Sequence, residues 1–151
     1  MKQQRMPAIA RWIAAAAILV SGAEHFRLWW SNDYRVIHVI GPLFLLNAIA
    51  GLVIALLLAW RANLLTELAG LGFAVATLGA FFISVYFGLF GFTEALSGTS
   101  QLIAGIAEGV AIVILAPAVA VHGLQEWRRL RGGAAAPPSA GTSSRGAIGH
   151  R

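Results

Sequence analysis

The sequence predicts an all-α integral membrane protein, a four-helix up-down bundle with both termini in the cytoplasm. Three observations predict this class: a very apolar composition, four long apolar runs, and basic residues concentrated on one side of those runs. Of the 151 residues, 58% are hydrophobic and 11% are charged, whereas an average soluble domain has about 25% charged residues. A soluble fold this short cannot bury so much apolar surface, so lipid is the expected solvent.

The four apolar runs cover residues 7–28, 42–60, 64–91 and 101–123. Each has about 20 residues or more, enough for a helix to cross a hydrocarbon core about 30 Å thick. Short connections make successive helices antiparallel neighbours. We therefore expect one transmembrane domain over residues 1–131. The Gly-, Ala-, Pro- and Ser-rich residues 132–151 are expected to form a disordered cytoplasmic tail.

The orientation follows from the basic residues near the ends of the runs. One side holds Lys2, Arg5, Arg11, Arg61, Arg128, Arg129 and Arg131, and the other side holds Arg27 and Arg35. The positive-inside rule then places both termini in the cytoplasm. Basic charge in this pattern indicates topology rather than nucleic-acid binding. One alternative stays open: "MKQQR", a short apolar run and "SGA" imitate a signal peptide, and cleavage after Ala23 would remove residues 1–23 and leave three helices.

Small residues recur at four-residue spacing in two of the predicted helices. One series is Gly72, Ala76 and Ala80, and the other is Gly105 and Gly109. Such series allow close backbone contact between membrane helices. They predict tight packing, either within one bundle or across a homo-oligomer interface.

The motifs of several familiar chemistries are absent from the sequence. There is no cysteine, which excludes disulfides, thiolate metal sites and CxxC redox chemistry. No P-loop, HExxH, GxGxxG or nucleophile elbow occurs. Ser21, Thr77 and Ser84 are expected to bond to backbone carbonyls rather than act as nucleophiles. The sequence therefore leans away from an enzyme, and it specifies no cofactor.

Polar residues of the four runs lie mainly in the half away from the predicted cytoplasmic side. Ionisable groups inside a membrane are costly, and they usually face the protein interior. Glu67 and His122 are expected at the rim of the cytoplasmic half. The outer half is expected to hold an outward-facing polar pocket with Tyr34 in its covering loop. The candidate ligand-binding residues are Glu108, Glu24, His25, Asn47, Arg35 and His38.

Three interpretations of these polar residues stay open. A Glu–Arg or Glu–His pair, for example Arg27 or Arg35 with Glu24 or Glu108, could simply tie the helices together. The residues could instead form a site for a ligand, an ion or a proton. A metal site has suitable ligands in His25 and His38, but no HxxxH or ExxH spacing supports it, and no metal is predicted.

The phrases "YRVIHVIGPLFLLNAIAG" and "GLFGF", the latter followed by Glu94, resemble small uncharacterised four-helix membrane proteins of high-GC Gram-positive bacteria. In size and layout the chain is also similar to DoxX-like membrane proteins, some of which are associated with quinone-linked respiration. The first resemblance implies a multi-pass protein of the bacterial cytoplasmic (plasma) membrane. Neither resemblance identifies a functional residue in this sequence.

The expected function is that of a small multi-pass membrane protein that is accessory or binds a small ligand in its outward polar pocket. The alternative is a proton- or ligand-handling subunit of a transport or quinone-linked respiratory system, with Glu108 as its central group. The lipid bilayer is the expected partner in both cases, with a homo-oligomer as a possible assembly.

Overall fold

The computed structural model describes residues 6–31, 33–96 and 98–134. They form four α-helices, α1 (Ala8–Ser31), α2 (Ile40–Trp60), α3 (Leu64–Phe87) and α4 (Thr99–Ala134). A single 3-10 turn, Tyr34–Val36, lies between α1 and α2. All four helices are long and apolar enough to cross a membrane. The all-α four-helix prediction is confirmed.

The helices form an antiparallel bundle in which α1 packs mainly on α2 and α4, and α3 packs mainly on α4. We call the end where α1 and α3 end and α2 and α4 begin the distal end. The proximal end is the one where α1 begins and α4 ends. Many outward-facing side chains are large and apolar, among them Leu56, which is 61% exposed, and Val113, which is 74% exposed. Helices that are apolar on their outer surface as well as their inner one suit lipid rather than water.

Helix α3 is bounded by two local signals. Asn63 accepts a hydrogen bond from the Thr66 backbone N–H at 3.1 Å, and Thr66 Oγ1 accepts one from the Asn63 N–H at 3.0 Å, which forms a capping box. At the other end, Gly88 has a φ of 76°, in the left-handed region where glycine is favoured. The helix therefore ends at Phe87 rather than at the predicted residue 91.

The other helices also differ from their predicted bounds. Helix α2 begins at Ile40 rather than at 42, because the Gly41 N–H already bonds to the Ile37 carbonyl at 2.8 Å. Helix α4 continues to Ala134 rather than ending at 123, so 132–134 are helical and do not belong to a disordered tail. The predicted tail from 135 onward lies outside the described residues.

A close backbone contact joins α1 and α2. A Cβ atom added to Gly51 would lie 3.0 Å from the Gly22 Cα and 3.3 Å from the Ile18 carbonyl oxygen. Glycine is needed at this crossing because any side chain would push the two backbones apart. The predicted small-residue positions Gly72 and Gly109 instead have nothing within 4 Å of an added Cβ. A homo-oligomer through those positions stays a prediction.

An apolar layer fills the middle of the bundle. Its fully buried members include Ile18 from α1, Leu58 from α2, Ala74 from α3 and Leu115 from α4. This layer separates two groups of buried polar residues, one toward each end of the bundle.

Candidate functional site

The distal half of the bundle contains a cavity of about 270 Å³. That volume lies just below the range of about 300–1,000 Å³ typical of small-molecule pockets. Helices α1 to α4 all contribute, and the loop between α3 and α4 closes one side. Most of the lining is apolar, with Phe44, Phe81 and Phe92 as its large aromatic members. The polar lining residues are His25, Asn47, Thr77, Ser84, Glu94, Gln101 and Glu108.

Of the two acidic residues that line the cavity, Glu108 lies deeper than Glu94. It is about 14 Å along α4 from the first residue of that helix. It is only 2% exposed. Ser21 of α1 donates a hydrogen bond from Oγ to Glu108 Oε1 at 2.7 Å. The sequence interpretation expected Ser21 to bond to a backbone carbonyl, and this was wrong, because α1 and α4 pack closely enough for Ser21 to reach the carboxyl group.

His25 lies one helical turn after Ser21 and is 8% exposed. Its Nδ1 is 2.8 Å from the Ser21 carbonyl oxygen. A carbonyl oxygen only accepts, so Nδ1 carries the hydrogen, and in the neutral ring Nε2 is an acceptor. The ring also packs against Phe44, with 5.0 Å between the ring centroids. Ser21 therefore orients two polar groups of the cavity, the imidazole through its carbonyl and the Glu108 carboxyl through its hydroxyl.

Glu94 lines the distal end of the cavity. Its two carboxylate oxygens accept hydrogen bonds from the Tyr34 hydroxyl at 2.9 and 3.0 Å. Gln101 Nε2 and the Ala95 backbone N–H also donate to Oε1, at 3.1 and 3.0 Å. These bonds connect the turn before α2, the loop after α3 and the first turns of α4. Glu94 is thus fully engaged in holding three segments together.

Tyr34, the hydrogen-bond partner of Glu94, packs among aromatic rings. Its ring packs on Phe44 at 4.8 Å and on Phe92 at 5.5 Å between centroids. Burial, together with the hydrogen bond to Glu94, raises the pKa of the Tyr34 hydroxyl above its usual value. The hydroxyl therefore remains protonated, and a donor to Glu94, throughout the physiological pH range.

The structure brings three of the six predicted ligand-binding residues to the cavity: His25, Asn47 and Glu108. The other three lie elsewhere. Glu24 pairs with Arg27 along α1, with 3.7 Å between Oε2 and the guanidinium nitrogen. Arg35 is exposed, with its guanidinium 6.0 Å from the Trp30 ring. His38 is exposed and does not line the cavity.

Sequence reasoning missed several residues of the site. Glu94 and Gln101 were not among the candidate residues, although both line the cavity. Gln101 lies seven residues before Glu108, on the same face of α4, and that spacing was a usable signal. The expectation that Thr77 bonds to the backbone is confirmed, since its Oγ1 donates to the Phe73 carbonyl at 2.6 Å.

The proximal half holds a second buried polar group. Glu67 Oε2 and His122 Nδ1 are 2.6 Å apart, and the two residues are 0% and 9% exposed. Glu67 lies in the first turn of α3, near the expected rim, and both side chains are buried there. His122 also borders a larger proximal hollow, of about 620 Å³, between the start of α1 and α4.

Within the described residues, no group of three or more His, Cys, Asp or Glu side chains is arranged to hold a metal ion. Comparisons with protein-family models, curated proteins and solved structures find no match to this chain.

Proposed function

We propose that this chain is a small multi-pass protein of the bacterial cytoplasmic membrane that binds a small ligand in its distal cavity. The observation that carries the proposal is the Glu108 carboxyl, buried among apolar helices and lining a cavity with His25 and Asn47. A carboxyl group in such a place is costly, and intramembrane ionisable groups usually serve a function. If Glu108 only held the helices together, a well-packed apolar side chain would stabilise the bundle better.

The direction in which the cavity opens is part of the proposal. The proximal helix ends carry Arg11, Arg128, Arg129 and Arg131, whereas the distal segments carry Arg27 and Arg35. The positive-inside rule favours a cytoplasmic proximal end. The cavity would then open toward the outer side of the membrane.

A second role, as a proton- or ligand-handling subunit of a transport or quinone-linked respiratory system, is favoured by one observation. Glu108 has no ion-pair partner among the described residues. The apolar layer around Leu115 nevertheless separates it from Glu67 and His122, so proton movement across the bundle would require that layer to hydrate. Binding is therefore the better supported role. Proton flux into liposomes that depends on Glu108 would favour the second.

A native mass spectrum of the purified full chain, released from mild detergent, tests the binding proposal. We expect a reproducible extra mass on the wild-type chain. The Glu108→Gln variant should lose it, because the substitution changes the polar group that lines the cavity at nearly constant volume. Glu126→Gln should retain it, because Glu126 lies on the same helix outside the cavity.

A bare chain mass in wild type and both variants would contradict an occupied cavity and support a structural role for Glu108. An extra mass that survives in Glu108→Gln would show binding at another place. The same spectrum reports whether residues 1–23 are retained.

A further inference from the structure

The charges that line the distal cavity are of one sign. Glu94 and Glu108 are its acidic members, and among the described residues no lysine or arginine lines it. Arg27 and Arg35, the basic residues of the distal segments, are both exposed outside it. Any ligand with a positive charge would therefore meet complementary groups, and an anion would meet repulsion.

Of the two carboxyl groups, Glu108 is the one available to a ligand. Its Oε1 accepts from Ser21, but Oε2 makes no hydrogen bond to the described residues. Glu94, in contrast, already accepts from three residues. An ionised carboxylate without a counter-charge is very costly in apolar surroundings. A cation bound beside the carboxylate would offset part of that cost.

Two other polar groups in the cavity lining also have unused hydrogen-bonding atoms. His25 Nε2 and the Asn47 side chain make no hydrogen bond to the described residues, and both residues line the cavity. His25 is more than nine-tenths buried. Buried polar groups in proteins are normally paired, so groups left open toward a cavity indicate a ligand or ordered water there.

The rest of the lining suits an apolar body. Phe44, Phe81 and Phe92 present aromatic surface, and rings of this kind attract cations held against their faces. The volume of about 270 Å³ far exceeds what a single metal ion fills. The described residues also lack a metal-binding group of side chains.

We infer that the distal cavity takes a small organic cation, a protonated amine or quaternary ammonium with apolar or aromatic groups, whose charge lies against Glu108. This inference rests on the proposed binding function and names the class of ligand. Phe44 and Phe81 contact the apolar part, and the Glu94–Tyr34 hydrogen bond lies at the distal end of the cavity.

The test compares three probes of similar size on the full chain in mild detergent. They are phenyltrimethylammonium, its neutral isostere tert-butylbenzene, and the anion benzoate. Titration calorimetry should show the cation binding at least about tenfold more tightly than the neutral isostere, with no binding of benzoate. In Glu108→Gln the preference for the cation should fall to about twofold or less, while Glu126→Gln should keep it.

A second measurement needs no variant. Dicyclohexylcarbodiimide reacts with carboxyl groups in apolar surroundings, and peptide mapping locates the added mass. Phenyltrimethylammonium should slow labelling of Glu108, and tert-butylbenzene should slow it much less.

Three outcomes of the titration would each overturn the proposal of an organic cation. The cation and its isostere could bind equally, the preference for the cation could survive in Glu108→Gln, or none of the probes could bind. The mass spectrum of the unprobed chain decides separately whether the cavity binds a ligand at all.

Discussion

Replacing Glu67 by alanine is expected to lower the free energy of unfolding by about 3–5 kcal/mol, the usual cost of removing one partner of a buried pair of ionisable side chains. Glu67 is fully buried, and its Oε2 lies 2.6 Å from His122 Nδ1. The substitution leaves His122 without its carboxylate partner and opens a void between α3 and α4. Reversible unfolding in mixed micelles of mild and denaturing detergent measures the difference.

Glu126→Ala is the matched control for Glu67→Ala. Glu126 lies on α4, with its side chain 46% exposed and 3.8 Å from the Arg129 guanidinium. An exposed pair of this kind is worth about 0–1 kcal/mol. The double variant Glu67→Ala/His122→Ala should lose less than the sum of its single variants, because the two side chains act as a pair. Equal losses for Glu67→Ala and Glu126→Ala would show that the buried pair does not stabilise the bundle.

Replacing Gly51 by leucine is expected to cost about 3 kcal/mol, at the upper end of the range for overpacked sites. The Cβ alone would lie 3.0 Å from the Gly22 Cα and 3.3 Å from Phe73 Cζ. The first of these atoms belongs to the backbone of α1, so α1 and α2 would have to separate. The same detergent titration reports the loss of stability.

Gly72→Leu provides the comparison for Gly51→Leu. An added Cβ at Gly72 has nothing within 4 Å, so the side chain would project from the bundle surface. The free energy of unfolding of Gly72→Leu should stay within about 0.5 kcal/mol of wild type, apart from the gain due to the higher helix propensity of leucine. If Gly72→Leu were the more damaging variant, Gly72 rather than Gly51 would lie at a tight interface, as in a homo-oligomer.

Much of the fold could be predicted because lipid imposes simple requirements on a chain. Four apolar runs of the right length leave few alternatives to a helical bundle. The helix bounds were less predictable, because they depend on local geometry. Gly88 ends α3 through its positive φ, and α4 continues past the apolar run into the polar residues up to Ala134. Hydropathy does not report either effect.

The candidate site could be predicted only in part, for a similar reason. Burial of a carboxyl group in an apolar run drew attention to Glu108, and helical spacing placed His25 and Asn47 in the same half of the bundle. Which residues meet across helices depends on helix rotation, and the sequence alone does not specify it. Ser21 was therefore predicted to bond to a backbone carbonyl, whereas it bonds to Glu108. Glu24 was predicted to line the cavity, whereas it pairs with Arg27.

Thiol labelling tests most directly the proposal that the polar cavity opens toward the outer side of the membrane. The chain has no cysteine, so single substitutions give an unambiguous signal. Three positions on α4 suffice: Ala104 lines the cavity, Ala111 lies in the apolar layer, and Leu130 is exposed at the proximal end. The reagent is a membrane-impermeant trimethylammonium methanethiosulfonate, added to intact bacterial cells.

We expect Ala104→Cys to be labelled in intact cells and Leu130→Cys only after the cells are opened. Ala111→Cys should remain unlabelled in both conditions, because its position is buried in the apolar layer. Labelling of Ala104→Cys only after the cells are opened, or in neither condition, would contradict a cavity that opens to the outer side.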